Sequence, residues 1–213
     1  MISSLLGGST SVKEIFSPNL QSFSLFSSSS SVYGDSGILP TKESCSKNPI
    51  SPYALQKSVI EEYCKLFYNL YGLENVCLRY FNVFGPRQAG SGPYANVVSS
   101  WCENGIKHKN IRLDGKGEAS RDFVYVKDIV SANIHAFKNY ESLSSKWYEV
   151  GSGESRKFED VLDILDIDYS YLEENQIPKG YQFYTCSQKT KWMKGWKPKY
   201  DLEKGLKEYS DYL

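Results

Sequence analysis

Two short apolar runs on either side of a long helical stretch constrain the fold of this 213-residue chain more than any other feature. Residues 25–28 and 76–80 predict buried strands, and residues 52–71 between them predict a helix. Ser51, followed by a proline, has the chemistry of a helix start, and Gly72 that of a helix end. Two parallel strands joined by a helix form a right-handed crossover. The chain is therefore predicted to be an α/β protein with a parallel sheet.

The rest of the pattern predicts shorter elements. The helix at 52–71 has a predicted apolar set, which consists of Ala54, Leu55, Val59, Tyr63, Leu66, Phe67 and Leu70. Residues 34–49 and 82–92 predict loops. The other predicted elements are a helix over 94–104, strands at 111–113 and 124–126, and helices over 128–139, 158–165, 188–194 and 202–212. The expected caps of the last three helices are Ser155, Ser187 and Asp201.

The composition indicates an ordinary globular protein and excludes several kinds of partner. Hydrophobic residues make up 40% of the chain, charged residues 23%, and the formal net charge is zero. Neither nucleic acid nor an acidic membrane surface is therefore a predicted partner. The five cysteines are odd in number and lack C-x-x-C spacing, which favours free thiols and no metal site. No apolar run reaches membrane-spanning length, and the predicted location is cytoplasmic.

Tyr53 and Lys57 lie one helical turn apart on one face of the predicted helix. A lysine ammonium beside a phenol favours the phenolate, so such a tyrosine can act as a general base on a hydroxyl. The alternative is a solvated surface pair, since tyrosine and lysine often occur at helical spacing. The neighbouring motifs decide between these interpretations.

Three motifs accompany this pair in a fixed order. The serine cluster F-S-S-S-S-S-V-Y-G-D begins at Phe26, L-R-Y-F-N-V-F-G-P-R-Q begins at Leu78, and G-K-G-E-A-S-R-D-F-V-Y-V-K-D begins at Gly115. With these motifs, the chain from about Leu25 onward resembles the extended short-chain dehydrogenase/reductase family, and within it the NAD-dependent nucleotide-sugar epimerases. The likeness is closest to the UDP-N-acetylglucosamine and UDP-glucose 4-epimerases.

The resemblance implies epimerisation at C4 of a UDP-sugar, either UDP-GlcNAc/UDP-GalNAc or UDP-Glc/UDP-Gal, through a 4-keto intermediate. It implies that Ser29, Tyr53 and Lys57 are catalytic. Tyr53 would take the proton of the 4-hydroxyl, directly or through Ser29, while hydride leaves C4 for the nicotinamide of NAD. Lys57 would also hold the nicotinamide ribose, and Tyr53, Tyr80 and Val83 would lie beside the cofactor.

The resemblance also implies contacts to the substrate. Asn82 and Arg121 match residues that bind the diphosphate, for which a guanidinium has suitable geometry. Ser30 matches a residue that touches the sugar, as Ser29 and Tyr53 do. Without the resemblance, the serine run could be a loop, Asn82 a turn residue, and Arg121 a surface partner of the carboxylates at 118 or 122.

The nucleotide end of the substrate is implied to contact Asn96, Arg112 and Asp114. Relatives often place a second phosphate-binding arginine before the G-W-x-P motif, where this chain has Lys179 as the only nearby cation. A lysine can replace the charge of an arginine but not its bidentate fork.

The serine run also separates epimerases from related enzymes. Sugar 4,6-dehydratases carry T-D-E before V-Y-G, and nucleotide-sugar decarboxylases place a glutamate just before the valine. This chain has Ser29, Ser30 and Ser31 at those positions. Elimination and decarboxylation are therefore disfavoured, and epimerisation is favoured.

One motif of the family is missing. Relatives carry about four strand–helix units before the serine cluster, which open on a glycine-rich dinucleotide fingerprint. This sequence contains no G-x-x-G-x-x-G, and residues 1–22 are serine-rich without clear periodicity. The predicted fold is thus the C-terminal part of a doubly wound, Rossmann-type parallel sheet plus a smaller α/β substrate domain. Residues 23–92, with 126–150 packed on them, are the expected NAD-binding remnant, and 93–125 and 151–213 the expected substrate domain.

Two interpretations stay open. In the first, the chain belongs to a UDP-sugar epimerase that is impaired alone and acts as a homodimer or with a chain that supplies the missing N-terminal half. In the second, it is a catalytically silent, truncated relative that binds only a nucleotide sugar or a partner protein. The missing fingerprint favours silence, whereas the intact motif residues favour the enzyme.

Overall fold

A computed structural model of the chain describes residues 23–35, 47–91, 96–102, 111–113, 119–172 and 181–213. The predicted segment 1–22, most of the loop at 34–49, Asp114 and Lys179 lie outside the described residues. In chain order, the elements are β1 (Phe23–Ser29), α1 (Pro52–Tyr71), β2 (Glu74–Tyr80), β3 (Asn82–Phe84), α2 (Val97–Ser100), β4 (Ile111–Leu113), β5 (Ser120–Arg121), β6 (Phe123–Tyr125), α3 (Val126–Lys138), α4 (Tyr140–Leu143), β7 (Lys146–Val150), β8 (Arg156–Lys157), α5 (Phe158–Ile164), β9 (Tyr169–Tyr171) and α6 (Leu202–Tyr212).

The main sheet contains three parallel strands in the order β1–β2–β7. Its register aligns Phe23 with Glu74 and Ser29 with Tyr80 across β1 and β2, and Val76 with Lys146 across β2 and β7. The predicted strands at 25–28 and 76–80 are therefore confirmed and slightly longer than expected. Strand β7 was not predicted, because its short sequence K-W-Y-E-V begins with a lysine and buries a glutamate.

Helix α1 has the predicted bounds and ends. The Ser51 hydroxyl accepts a hydrogen bond from the Ala54 N–H at 3.2 Å, and a proline follows it. Gly72 ends the helix in the left-handed conformation, with φ at 66°, and its N–H donates to the Tyr68 carbonyl. Glycine reaches this conformation without a steric cost, so the stop signal is local and readable from sequence.

The apolar set predicted for α1 does not form its sheet-facing side. Only Ala54 of that set is buried, and the exposed members are Leu55, Val59, Tyr63, Leu66 and Leu70. The buried residues of the helix are Ala54, Glu61 and Cys64. Helix α1 therefore turns two small apolar residues and one buried carboxylate toward the sheet, and apolar periodicity alone identified the wrong face.

Several other predictions need correction. The predicted loop at 82–92 contains β3, which pairs with β6 in parallel. The predicted helix at 188–194 is a single 3-10 turn at Lys189–Lys191. A second turn follows it, in which the Trp196 N–H donates to the Met193 carbonyl at 3.0 Å. Met193 and Trp196 are buried in the core beside the sheet.

The predicted caps have different outcomes. Asp201 caps α6, and its carboxylate accepts from the Lys204 N–H at 2.8 Å. Ser155 does not cap α5, because that helix starts after Lys157, whose N–H is bound by the Asp160 carboxylate. Ser187 is likewise no cap, since its hydroxyl accepts from the Gly153 N–H instead. The predicted helix at 94–104 is described only at 96–102, where Val97–Ser100 is helical and Asn96 is its cap.

The buried residues form two main clusters. One lies between the sheet and α3 and includes Val76, Leu78 and Ala132. The other joins α5 and α6 to β6 and includes Leu162 and Leu206. The predicted division into two domains follows these clusters only in part, since Phe84 belongs to the second cluster and Met193 to the first. The division stays a prediction.

We predict that the exposed face of α1 and the core between the sheet and α3 differ sharply in their effect on stability. Leu66→Gln, on the exposed face of α1, should change the free energy of unfolding by less than about 0.5 kcal/mol. Leu78→Ala, in the core between the sheet and α3, should lower it by about 2–5 kcal/mol because it leaves a cavity. Urea unfolding at low protein concentration measures both. A large loss for Leu66→Gln would show that this face packs inward.

Candidate active site

The predicted catalytic residues lie on two neighbouring elements. Ser29 is the last residue of β1, and Tyr53 and Lys57 lie in the first two turns of α1, which packs against β1. The carboxyl ends of β1 and β2 meet at this edge of the sheet, because the two strands are parallel. This edge is where a doubly wound sheet presents its ligand-binding groups.

Ser29 starts a tight turn whose geometry fixes its hydroxyl. The Ser29 Oγ accepts a hydrogen bond from the Ser31 N–H at 3.2 Å, which caps the 3-10 turn Ser30–Tyr33. One lone pair of the hydroxyl is thus occupied, and its proton remains available for a ligand oxygen. Ser30 is buried in the turn. The Ser31 hydroxyl is also buried, with no hydrogen-bond partner among the described residues.

Tyr53 and Lys57 lie side by side, as predicted. The Lys57 Nζ is 5.5 Å from the centroid of the Tyr53 ring, and it donates to the Ser27 carbonyl at 2.7 Å. This bond ties the lysine to β1 two residues before Ser29. An ammonium has three donors, so others remain for a ligand. The Tyr53 side is open, with 53% of the residue exposed.

Asn82 presents its amide nitrogen away from its protein partner. The Thr185 hydroxyl donates to the Asn82 Oδ1 at 3.1 Å, and the same hydroxyl accepts from the Asp122 N–H at 2.9 Å. With its oxygen bound in this way, the Asn82 amide keeps two N–H donors that make no hydrogen bond to the described residues. This orientation suits a residue that donates to phosphate oxygens.

Tyr80 and Val83 flank Asn82 on either side of the chain. The Tyr80 hydroxyl donates to the Asn133 Oδ1 at 2.9 Å and is thereby held against α3. Val83 packs against a small buried cluster that contains Val32 and Val124. The structure places both residues near the carboxyl end of β2, and their contact with the cofactor stays a prediction.

Arg121 is a buried cation without an ion pair in the described parts of the chain. It is 7% exposed, and its guanidinium lies 4.9 Å from the ring centroid of Tyr181 and 5.4 Å from that of Phe158. Its Nη1 donates to the Phe183 carbonyl at 2.6 Å. Burial lowers the pKa of Arg121. A buried guanidinium is stabilised by an anion, and a phosphate suits its fork.

Asp122 does not form the surface ion pair with Arg121 that is the alternative interpretation of this arginine. The Asp122 carboxylate is fully buried and accepts from the N–H groups of Ser152, Gly153 and Ser187 at 2.6–3.1 Å. Burial raises the pKa of Asp122, and these hydrogen bonds offset that effect only in part. Asp122 therefore holds two loops together, and Glu118 lies outside the described residues.

The residues predicted for the nucleotide end are dispersed. Asn96 caps α2 through its Oδ1, which accepts from the Val98 N–H at 2.9 Å, and its Nδ2 donates to the Val83 carbonyl. Arg112 is exposed on β4. Asp114 lies outside the described residues. The contacts of all three with a nucleotide stay predictions.

A buried polar network beneath the site was not predicted. Glu61 of α1 binds Arg79 of β2 through two hydrogen bonds at 2.6 and 2.8 Å, and the Ser28 hydroxyl donates to Glu61 at 2.6 Å. Arg79 also donates to the Tyr33 hydroxyl at 2.8 Å, and Tyr33 donates to Glu149 of β7. The signal for Arg79 in the sequence is a charge inside the mostly apolar run of β2, whereas Glu61 has no such signal because α1 carries other charged residues.

The pKa values of the two carboxylates of this network are shifted in opposite directions. Burial alone would raise the pKa of Glu61, but the hydrogen bonds and charge of Arg79 outweigh it and hold that pKa below its ordinary value. Burial raises the pKa of Glu149, and its bonds from Tyr33 and Gln188 only partly offset the effect. The network thus stabilises one carboxylate as an anion and penalises the other.

The site fits one end of NAD. Lys57, with free donors, and the open Tyr53 ring suit the nicotinamide ribose. The pyrophosphate requires the backbone N–H groups of a glycine-rich turn at a helix start, and the 213-residue sequence has no such motif.

Among the described residues, no group of three His, Cys, Asp or Glu side chains could hold a metal ion. None of the described helices is long and apolar enough to cross a membrane.

The chain belongs to the NAD dependent epimerase/dehydratase family, which it matches over residues 11–151. The cofactor of this family is NAD. Together with the parallel sheet and the motif residues, the match confirms the resemblance to extended short-chain dehydrogenases/reductases and their nucleotide-sugar epimerases.

Individual relatives point to UDP-sugar epimerases. The chain is 35% identical over 192 residues to a putative UDP-glucose 4-epimerase of Methanocaldococcus jannaschii, covering 88% of this chain and 61% of the relative. It is 37% identical to a UDP-N-acetylglucosamine 4-epimerase from Methanobrevibacter ruminantium, solved with UDP-N-acetylmuramic acid, with a TM-score of 0.75 and coverage of 90% and 64%. It is 32% identical to the UDP-glucose 4-epimerase of Thermotoga maritima, solved with UDP-glucose, with a TM-score of 0.78 and coverage of 89% and 62%.

The chain spans about three fifths of the length of these relatives. The structural likeness covers nearly all of this chain, so the predicted fold class, the C-terminal part of a Rossmann-type α/β protein, is confirmed.

We predict that Glu61 and Glu149 affect stability with opposite pH dependence. The Glu61 contribution is present above its ordinary pKa of about 4.3 and is lost as pH falls through its lower folded value. The Glu149 contribution is greatest below that ordinary value and is lost as pH rises through its raised folded value. Glu61→Gln should therefore lower the free energy of unfolding by more at about pH 7 than at about pH 3.5. Glu149→Gln should lower it by more at the lower pH. Urea unfolding at both pH values measures this, and parallel pH trends for the two variants would contradict the assignment.

Proposed function

We propose that this chain carries the catalytic and substrate-binding part of an NAD-dependent UDP-sugar 4-epimerase. The observation that supports this most is the joint placement of Ser29, Tyr53 and Lys57 at the carboxyl edge of the sheet. The Ser29 hydroxyl has a proton to donate, the Tyr53 ring is open to a ligand, and Lys57 lies beside that ring with donors to spare. Substrates in this proposal are UDP-GlcNAc/UDP-GalNAc or UDP-Glc/UDP-Gal.

The residues of this chain would hold the sugar and move its proton. Tyr53 would accept the proton of the sugar 4-hydroxyl, directly or through Ser29, and return it after the 4-keto sugar has turned over. Lys57 would lie beside the Tyr53 ring and hold the nicotinamide ribose. NAD, when bound, supplies the oxidation and reduction of C4. The serines at 29–31 leave no carboxylate in the turn, which supports epimerisation over elimination or decarboxylation.

The diphosphate would lie between two donors of the substrate side, the buried Arg121 and the half-buried Asn82. Arg121 brings a guanidinium without an ion pair in the described chain, and Asn82 brings amide donors oriented by Thr185. Hydrogen bonds to charged groups contribute about 1.5–3 kcal/mol each. Asn96, Arg112 and Asp114 would contact the nucleotide, and Ser30 the sugar.

We further propose that turnover needs structure beyond these 213 residues. The site for the NAD pyrophosphate would be supplied either by a longer form of the chain or by a second chain that carries the N-terminal half. Within the described residues, β1 pairs only with β2, and the exposed apolar side of α1 lies beside it. Unpaired strand edges recruit further strands. A homodimer through α1 is the other arrangement consistent with this face.

The alternative is a silent relative that binds a nucleotide sugar without turnover. The absence of the glycine-rich motif from the sequence favours it. The two proposals differ in one measurable respect: whether supplying an NAD phosphate site restores epimerisation.

We predict that Arg121→Met weakens UDP-glucose binding at least about tenfold, a change of about 1.4 kcal/mol. Arg121→Lys should recover part of this loss, because it keeps the charge but not the fork. Calorimetry with the purified chain, with UDP-N-acetylglucosamine as a second ligand, measures both. The matched control is Arg156→Met, since Arg156 pairs with Asp160 and Glu203 at the surface. Equal affinity of all three variants and the parent chain would contradict the diphosphate assignment.

We predict that the chain alone binds UDP-sugar more tightly than NAD. A chimera with the N-terminal part of the Methanocaldococcus jannaschii relative placed before residue 23 should bind NAD and interconvert the C4 epimers. In that chimera, Tyr53→Phe should lower turnover by about 10²–10⁴-fold, the usual contribution of a general base, while Tyr63→Phe, on the exposed face of the same helix, should not. A chimera that binds both ligands without turnover would favour the silent relative.

A further inference from the structure

The buried side of α1 contains a glutamate, which bears on what sets the position of this helix. A helix normally packs on a sheet through large apolar residues, whose packing tolerates small shifts. In α1, the buried residues are Glu61 and the two small apolar residues Ala54 and Cys64, and the large apolar side chains of its predicted apolar set are mostly exposed. We therefore expect the hydrogen bonds of Glu61 to fix the rotation of α1 about its axis and its position along the strands.

Glu61 is fixed by groups from two strands. Its Oε1 accepts from the Ser28 hydroxyl at 2.6 Å and from the Arg79 Nε at 2.8 Å. Its Oε2 accepts from the Arg79 Nη2 at 2.6 Å and lies 3.2 Å from the Lys47 Nζ. Four contacts on one carboxylate leave it little freedom to move along or around the helix axis.

Arg79 is itself held rigidly. Its guanidinium lies 3.7 Å from the ring centroid of Trp147 and 4.8 Å from that of Tyr33. It also donates to the Tyr33 hydroxyl, which in turn binds Glu149. Arg79 is only 2% exposed. The anchor of Glu61 is thus a cation clamped between two aromatic rings and tied to all three strands of the main sheet.

The anchor acts on the proposed catalytic residues through short distances along the chain. Glu61 is one helical turn beyond Lys57 and two turns beyond Tyr53 on the same side of α1. On the strand, Ser28 is the immediate neighbour of Ser29, and Lys57 donates to the Ser27 carbonyl. The bond from Ser28 to Glu61 therefore sets the offset between the strand that carries Ser29 and the helix that carries Tyr53 and Lys57.

We propose that the Glu61–Arg79 pair is a positioning device that holds Tyr53 and Lys57 in register with Ser29. Glu61 and Arg79 touch neither substrate nor cofactor in this proposal, and they act through the placement of α1. The inference rests on the proposed function for its catalytic meaning, but the positioning itself is a property of the chain without ligands.

The test uses the 213-residue chain labelled with 3-fluorotyrosine and observed by ¹⁹F NMR. The Tyr53 resonance is assigned by its loss in Tyr53→Phe. Glu61→Gln and Arg79→Lys should both move this resonance by more than its linewidth. The shift that Lys57→Met causes in the parent chain should fall by about half or more in the Glu61→Gln background, because coupled positions are not additive.

Two controls separate positioning from a general loss of stability. Leu162→Ala removes a core side chain in the cluster around α5 and should leave the Tyr53 resonance in place at a comparable loss of stability. Ser28→Ala removes one bond to Glu61 and keeps the ion pair, so it should give a smaller shift in the same direction. If Glu61→Gln does not fold, Ser28→Ala decides the question. An unmoved Tyr53 resonance in Ser28→Ala and in every folded variant of the pair would overturn the proposal.

The outcome is separable from that of the proposed function. If the chain shows these shifts but binds no UDP-sugar, the positioning proposal holds and the epimerase proposal fails. If the chain binds UDP-sugar through Arg121 but shows no shifts, only the positioning proposal fails. In the active chimera, Glu61→Gln should lower kcat at least about tenfold with little change in KM, since a misplaced general base affects the transition state more than binding.

Discussion

The bidentate pair between Glu61 and Arg79 is the interaction on which the rest of this structure depends. It is buried, and it joins α1 to β2 with Ser28 of β1 as a third member. Removing one partner of a buried ion pair leaves the other charged and desolvated, at a cost of about 3–5 kcal/mol. Arg79 extends the pair through Tyr33 to Glu149, so one guanidinium connects the helix with all three strands of the main sheet.

The substrate side depends on a second buried carboxylate, Asp122, which organises backbone instead of a cation. Its hydrogen bonds bring the loop after β7 and the segment at Ser187 together, and Gly151 passes so close that an added Cβ would lie 2.6 Å from the Asp122 Oδ2. Arg121, the residue before Asp122, ends β5. Thr185 then links Asp122 to Asn82. The two proposed diphosphate ligands thus share one buried scaffold.

The sequence predicted what is encoded locally. Ser51 and Gly72 bound α1 through bonds within four residues, and the motifs placed Ser29, Tyr53 and Lys57 on the elements where they are found. It did not predict Glu61, Arg79 and Glu149 as a network, because their bonds span 18 to 116 residues along the chain. The face of α1 was missed because its buried side combines two small apolar residues with a glutamate, whereas most of its large apolar residues are exposed.

A helix held to its sheet by a buried glutamate tolerates fewer substitutions at that position than a helix held by apolar packing alone. Apolar packing allows conservative exchanges, since volume and hydrophobicity suffice for most of the stability. The site of Glu61 requires a charge, two acceptor oxygens and a length that reaches both Ser28 and Arg79. Aspartate would be too short to hold both bonds, and glutamine would turn a donor toward the guanidinium. A chain that must hold a tyrosine and a lysine against a serine on another element has a physical reason to use such a device, because hydrogen bonds fix direction where packing fixes only volume.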